Sequence, residues 1–595
     1  MHRVWRRAPD HTIAALGRAM GMTSQDPPRS PVISARPGEA LGIDGTVEIH
    51  TEDGGVVRVA DRLPPDLPLG YHDLIHPGSD SVMRLVIAPR RCFLPTDLFG
   101  WGWAIQLYAL RSRSSWGIGD LGDLRRLNEW AARMGAGAVL INPLHSVDPE
   151  PHRASPYFPS SRLFRNPLYL RVEEIQGAAE ASLDLEKLAS AGRSLNGDRR
   201  IDRAAVHRLK SDALELLWRR FGGDRAFDRY RAEVGTPLRD YATFLALTEQ
   251  FGSDWHRWAP QLRHPRSPAV VRAAHDLGHR VLFHEWVQWC LDRQFESASA
   301  DLPVTNDLAI GVDPGGADAW LWQDFFASGV TIGAPPDDFN LSGQDWGVLP
   351  LHPWRLRSGC YEPFIHTVRA SLRHAEGLRY DHVMGLFRLF WIPLDGGPAD
   401  GAYVRYPSAD LLDILALESH RAGAYVVGED LGTVEAGVRE RLARRNVLSY
   451  RLMFFELSPP IRYPVLAVAG VGNHDLPTLP GLWSGSDLAD QASAGVTPNR
   501  GFATGARERL AAVAGVDRSA PTDEAVAAVY RTLAEAPSMM VTATLDDALG
   551  VEERPNIPGS GSERANWSLA LPHLLEEIER HPGPRALGRL LARRP

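Results

Sequence analysis

The chain has 595 residues, too many for one simple core, and so holds one large domain with insertions or about two to four domains. With 44% hydrophobic and 23% charged residues it is an ordinary globular sequence, and a net charge of -8 spread over that length gives no reason to expect nucleic acid. Three cysteines without a close pair (Cys92, Cys290, Cys360) argue against a disulfide framework, and no apolar run is long enough for a bilayer, so the expectation is a soluble cytoplasmic protein.

At the N-terminus Arg3, Arg6 and Arg7 precede a short apolar stretch that Arg18 breaks too early for a signal-peptide core. Residues 46–51 alternate at the strand period, Asp53-Gly54-Gly55 is a hairpin-type turn, and residues 56–59 continue the pattern. Another strand, 81–88, stops at Pro89, so residues 1–95 read as a small β-rich domain. From 96 to 595 strand-like runs alternate with helical ones. Candidate strands lie at 103–107, 138–142, 308–312, 378–381, 424–428, 449–454, 465–471 and 539–544. Their number suits a closed (β/α)8 barrel. Leu121, Leu124, Leu127 and Trp130 form one helical face closed by Gly135. Leu411, Leu412, Ile414, Leu415 and Leu417 form another, with Ser408 as cap and Gly423 past its end. Residues 173–300 are too long for a barrel loop and strongly helical, and are read as an insertion between the second and third strands. Arg219-Arg220 and Arg444-Arg445 belong to solvated helix faces.

Three strand-like runs end in a carboxylate: Asp381, Glu429 and Asp475. In a parallel barrel the strand C-termini open on one face, where acids far apart in sequence can meet. Two carboxylates across a sugar, with a third holding it, equip a retaining glycoside-processing enzyme. Arg379 lies two residues before Asp381, on the same face of a strand, and its charge favours an ionised nucleophile. Glu429 needs a raised pKa to act as an acid; Asp430 adjoins it, and on spacing alone either can fill that role. His474 and Asp475 offer a donor and an acceptor for sugar hydroxyls.

Gly117-Ile118-Gly119-Asp120-Leu121-Gly122 is formally a dinucleotide-type G-x-G-x-x-G, but Asp120 and Asp123 put negative charge where a pyrophosphate would sit, so the segment reads as a tight loop before a helix. His275 and His279 stand four apart and His284-Glu285 begins a zinc-like motif, yet nothing completes a metal set; all are read as ordinary helix residues. Between Pro335-Pro336-Asp337-Asp338-Phe339 and Gly343-Gln344-Asp345-Trp346-Gly347 a long loop is expected. There Trp346 either stacks on sugar beside Gln344 or packs beneath its own loop.

Over residues 95–575 the chain resembles the amylomaltase, or 4-α-glucanotransferase (disproportionating enzyme), family of the α-amylase clan, of the bacterial maltodextrin-pathway type. The resemblance is carried by the segments 114–124, 155–157, 166–169, 343–347, 378–384, 428–433, 474–478 and 556–559. It implies Asp381 as nucleophile, Glu429 rather than Asp430 as acid/base, and Asp475 as stabiliser of a distorted sugar. It further implies that Arg379 and His474 contact the nucleophile and the sugar, that Tyr157 stacks on that sugar, and that Gln344 and Trp346 belong to a loop arching over the cleft. Tyr380 replaces a usual aliphatic residue and Asn473 a usual Thr. Asn566-Trp567-Ser568 replaces a usual Asn-Trp-Arg, and no site role is carried over there.

The expected activity is transfer of α-1,4-glucan segments between maltodextrins through a covalent glucosyl-enzyme. No metal or organic cofactor is implied, nor a nucleic-acid or membrane partner, and oligomeric state is not legible. The rivals are a hydrolase of the same clan, with water as acceptor, a nicotinamide oxidoreductase resting on the Gly117 loop alone, and an inactive glucan-binding scaffold, which would be expected to lack at least one of the three acids.

Overall fold

The computed structural model describes residues 7–21, 31–43, 45–78, 82–96, 98–148, 154–336, 343–560 and 564–592. Asp337-Asp338-Phe339 of the expected loop, Arg3, Arg6 and Ser81 lie outside the described residues. Eight parallel strands close into the expected (β/α)8 barrel: β6 (Gly100–Ile105), β7 (Ala138–Ile141), β10 (Val304–Leu308), β13 (Gly377–Tyr380), β16 (Tyr425–Gly428), β17 (Val447–Leu452), β18 (Ala467–Gly470) and β19 (Met540–Thr544), in the order β10-β13-β16-β17-β18-β19-β6-β7. Every residue of β7, β13, β16 and β18 is buried, as strands covered on both faces must be.

Seven of these strands coincide with the expected runs to within about three residues. The third does not: it is Val304–Leu308, upstream of the apolar run 308–312. Its core is Thr305-Asn306-Asp307, and a strand that turns polar side chains inward does not show the apolar pattern that locates its neighbours.

The chain divides into two compact units, residues 1–95 with 322–449 and residues 96–321 with 450–595. In the first, a five-stranded sheet has the order β1-β5-β4-β2-β3. Its strands are β1 (Val32–Ala35), β2 (Val47–His50), β3 (Val56–Val59), β4 (Gly70–Ile75) and β5 (Val82–Ile87). Val47 and Ile49 alternate inward to meet Leu74, Leu85 and Ile87. Side-chain hydrogen bonds to two buried carboxylates tie this sheet to the helix Ser408–Ala422. Arg36 binds Asp413, and Glu418 accepts from the Tyr71 hydroxyl at 2.8 Å and from Arg369 at 2.9 and 3.0 Å. Ser408 is that helix's first residue rather than its cap; the cap position is Pro407, and the Ser408 hydroxyl accepts from Arg441 instead. Gly423 closes the helix with φ +62°.

The same unit holds an antiparallel sheet of order β12-β11-β14-β15, made of β11 (Val330–Ala334), β12 (Gln344–Val348), β14 (Arg388–Pro393) and β15 (Ala402–Arg405). Gln344-Asp345-Trp346-Gly347 is thus a strand and not loop, because Asp345 and Val348 pair with Gly333 and Ile332 across the ladder.

The second unit holds β6, β7, β10, β18 and β19, and a small pair formed by β8 (His145–Ser146) and β9 (Ser161–Arg165). Between β9 and β10 run six helices, Ser182–Ser194, Arg203–Trp218, Arg225–Val234, Thr236–Phe251, Pro268–Asp276 and Gly278–Ala298. His275 and His279 fall on the last two of these, not on one helix face. His279 accepts from the Trp218 indole at 3.1 Å and His284 binds Glu249 at 2.9 Å. The glycine-rich segment is a packed turn. A Cβ at Gly119 would stand 2.0 Å from the Leu107 carbonyl oxygen, Asp120 caps the helix Leu121–Arg133, and Arg171 binds both Asp120 and Asp123. Among the described residues no helix is long and apolar enough to cross a membrane.

Candidate functional site

The residues singled out from the sequence fall into two groups, one in each unit. In the first unit β13 and β16 are adjacent parallel strands, with Tyr380 in register with Gly428. Asp381 and Glu429 therefore leave neighbouring strands at the same level. The junction is stitched by backbone bonds from Glu429 N to the Tyr380 carbonyl and from Val383 N to the Glu429 carbonyl, both 3.0 Å.

Arg379 donates to the Asp381 carboxylate at 3.0 Å; the guanidinium is almost buried and the carboxylate 19% exposed. Such a pair favours the charged form of the acid. Glu429 accepts from the backbone N–H of His382 at 2.9 Å and of Leu431 at 2.8 Å. Burial pushes its carboxyl above the ordinary glutamate value, against the charge of Arg379 and those two donors, with Asp430 adding to the rise. Asp430 itself is fully buried and bound by Arg439 at 2.8 Å and Ser449 at 2.6 Å, which leaves it little freedom to meet a ligand.

His382 takes a left-handed backbone, φ +46°, that turns the chain back after Asp381. Burial and the charge of Arg388 hold its imidazole down to about 4, so it is neutral near pH 7. Its ring meets the Trp346 indole edge-on with centroids 5.3 Å apart, and Trp346 donates to the Gln344 side chain at 3.2 Å. Gln344 and Trp346, two apart on β12, share a face, and through His382 that face abuts the segment carrying Asp381.

In the second unit the segment after β18 carries His474 and Asp475. Asp475 is 42% exposed and oriented from several sides. Its N–H donates to the Asn473 side chain at 3.1 Å, Arg554 donates to its carbonyl at 2.9 Å, and the Asn556 amide donates to its carboxylate at 2.7 Å. Tyr157 lies beside His474 with ring centroids 4.8 Å apart, and its hydroxyl donates to Asp307, from the end of β10, at 2.5 Å. The Trp567 ring completes the cluster, 5.1 Å from His474 and 5.5 Å from Tyr157.

Sequence reasoning missed Asp307, Arg554, Asn556 and Trp567 as neighbours of these residues. Asp307 sits in the strand whose polarity hid it. Asn556 and Trp567 stand in recognisable motifs, but which acid or ring they touch is not a matter of spacing. Among the described residues no cluster of three or more His, Cys, Asp or Glu side chains is placed to hold a metal ion.

An ionised carboxylate held by arginine beside a carboxyl raised by burial can act as nucleophile and proton donor in glycosyl transfer. The sequence profile of the family described as 4-alpha-glucanotransferase matches residues 105–575. The 4-alpha-glucanotransferase of Mycobacterium tuberculosis (strain ATCC 25618 / H37Rv) is 41% identical over 573 residues, covering 87% of this chain and 79% of that one. That of Haemophilus influenzae is 32% identical over 571 residues, covering 86% and 81%. The crystal structure of amylomaltase from Corynebacterium glutamicum superposes with a TM-score of 0.86 at 28% identity, covering 99% of this chain and 96% of that one. With its barrel and its carboxylates at strand ends, the chain belongs to the 4-alpha-glucanotransferase family.

Proposed function

We propose that this 4-α-glucanotransferase works by a retaining double displacement, with Asp381 as nucleophile, Glu429 as acid/base and Asp475 as the group that holds the distorted sugar. The observation that carries the reading is the shared register of β13 and β16. Neighbouring strands lie about 4.8 Å apart. Two carboxyls leaving such strands at one level can flank a single glycosidic bond, as a double displacement requires.

In the first step an Asp381 oxygen attacks the anomeric carbon, the bond to the leaving glucan breaks, and the Glu429 proton passes to the leaving oxygen. In the second, Glu429 takes the proton of an acceptor's 4-hydroxyl, that oxygen attacks the anomeric carbon, and Asp381 leaves as a carboxylate. The bond from Arg379 supports Asp381 in its ionised state, and burial of Glu429 supports its protonated one. Tyr157 and His474 offer a stacking face and a donor to the sugar held at the reacting bond, and Gln344 with Trp346 offers the same to the chain beyond it. Maltodextrins are the substrates we assign, as donor and as acceptor. A cytoplasmic setting fits three free thiols, of which Cys92 and Cys290 are buried.

Incubation with maltotriose tests the reading. Glucose together with maltodextrins longer than the substrate is the expected product set, with the new linkages α by proton NMR. If every product is shorter than the substrate, the enzyme is a hydrolase.

A further inference from the structure

Trp567 occupies a backbone conformation that bulky residues avoid. Its φ is +60°, in the left-handed region where a side chain crowds the following carbonyl oxygen. Its side chain is nearly buried, at 6% exposure, with the ring against Tyr157 and His474. Strain of this sort persists where the surroundings over-determine it, and here the determinants can be named.

The N–H of Trp567 donates to the Pro555 carbonyl at 2.9 Å. On the other side Arg203 grips the turn. One guanidinium nitrogen donates to the Trp567 carbonyl and another to the Ser568 hydroxyl at 2.8 Å. The hydroxyl in turn donates to the Asn566 carbonyl at 3.1 Å. Arg203 is the first residue of the helix Arg203–Trp218, whose start is capped by Asp202, and its guanidinium lies over the Tyr108 ring at 5.3 Å. Backbone bonds from Ile201 N to the Ser568 carbonyl and from Ala570 N to the Arg199 carbonyl, both 2.8 Å, lace the two segments together. Among the described residues no carboxylate pairs with Arg203; its hydrogen bonds go to the turn that carries Trp567. A guanidinium's rigid fork can span two acceptors at once, and a lysine's single ammonium reaches them less well.

We propose that Arg203 is a positioning residue. It holds the 566–568 turn in its left-handed form and, through the Trp567 ring, sets the relative placement of Tyr157 and His474. The significance for transfer rests on the sugar-contacting roles given above to Tyr157 and His474; the link from Arg203 to the rings does not.

The test compares Arg203→Met, Arg203→Lys, Trp567→Ala, the double variant Arg203→Met/Trp567→Ala, and Tyr157→Ala. Each is followed by kcat and KM for maltotriose, by near-UV circular dichroism and by Tm. Misplacement of a group at a reacting centre by about 1 Å can cost on the order of a hundredfold. Arg203→Met is therefore expected to lose tenfold or more in kcat/KM, Arg203→Lys less, and both to lose the near-UV band that Trp567→Ala loses. The double variant should be no slower than the worse single one, because both changes break the same link. Additive losses, or an unchanged near-UV band in both Arg203 variants, would overturn the proposal. If Arg203→Met does not fold, Arg203→Lys carries the same comparison. Loss of the band with Tyr157→Ala at the wild-type rate supports the link while overturning the stacking role of Tyr157, so the two failures are distinguishable.

Discussion

Replacing Asn556 with alanine removes one bond from the proposed site and little else. The Asn556 amide donates to Asp475 at 2.7 Å, while the backbone bond from Asn556 N to the His474 carbonyl, 3.1 Å, survives the change. A hydrogen bond to a charged group is worth about 1.5–3 kcal/mol. Each 1.36 kcal/mol is tenfold in rate. If Asp475 bears on the transition state, the loss in kcat/KM falls between about tenfold and a hundredfold by that conversion. With its side chain 42% exposed, water replaces part of the lost bond, and the lower end of the range is expected. The loss should fall in kcat with KM nearly unmoved, because a bond that matters to the distorted sugar is stronger in the transition state than in the ground state. Asn556→Asp sets a carboxylate against Asp475 and should be slower still. Initial rates of glucose release from maltotriose, over a range of concentration, read both constants. A variant within twofold of wild type, or a loss confined to KM, would refute the role given to Asp475.

Three further expectations follow from the same geometry. With an α-glucosyl fluoride, whose leaving group needs no proton, Glu429→Gln should acquire one sugar by intact mass and Asp381→Asn none; an adduct on the Asp381 variant would mean that the nucleophile is another residue. Because Glu429 must be protonated to act as acid and burial raises its pKa, activity should fall as pH rises through that value; Arg379→Met removes an opposing charge and should move the alkaline limb of the profile to higher pH, and a limb that stays put assigns it to another group. Glu418→Ala strands the partners of a buried carboxylate in the first unit. Breaking such a pair costs about 3–5 kcal/mol, and the low end applies because the Arg369 side chain is 46% exposed; a change under about 1 kcal/mol in urea unfolding would show that Glu418 does not anchor the sheet.

The barrel was legible in the sequence because most of its strands and helices announce themselves locally. Ala138–Ile141 and Tyr425–Gly428 are apolar runs bounded by turn residues. Leu121 to Trp130 and Leu411 to Leu417 keep a helical period, and Gly135 and Gly423, at φ +80° and +62°, follow the ends of their respective helices. The same local pattern positions the carboxylates: Asp381 and Glu429 directly follow β13 and β16, and Asp475 lies in the segment after β18. The parallel pairing of β1 with β5 and the strand character of β12 could not, because each depends on a ladder with a distant partner. Val304–Leu308 carries polar residues at its centre and so shows no apolar run, and only the completed barrel makes such a sequence a strand. Tyr157 finds Asp307 150 residues away and Asp475 finds Asn556 81 residues away, separations that no periodicity encodes. Hydrophobic pattern acts along the chain, over one or two turns; a hydrogen bond acts through space, and its partner is settled only when the elements carrying the two groups have packed.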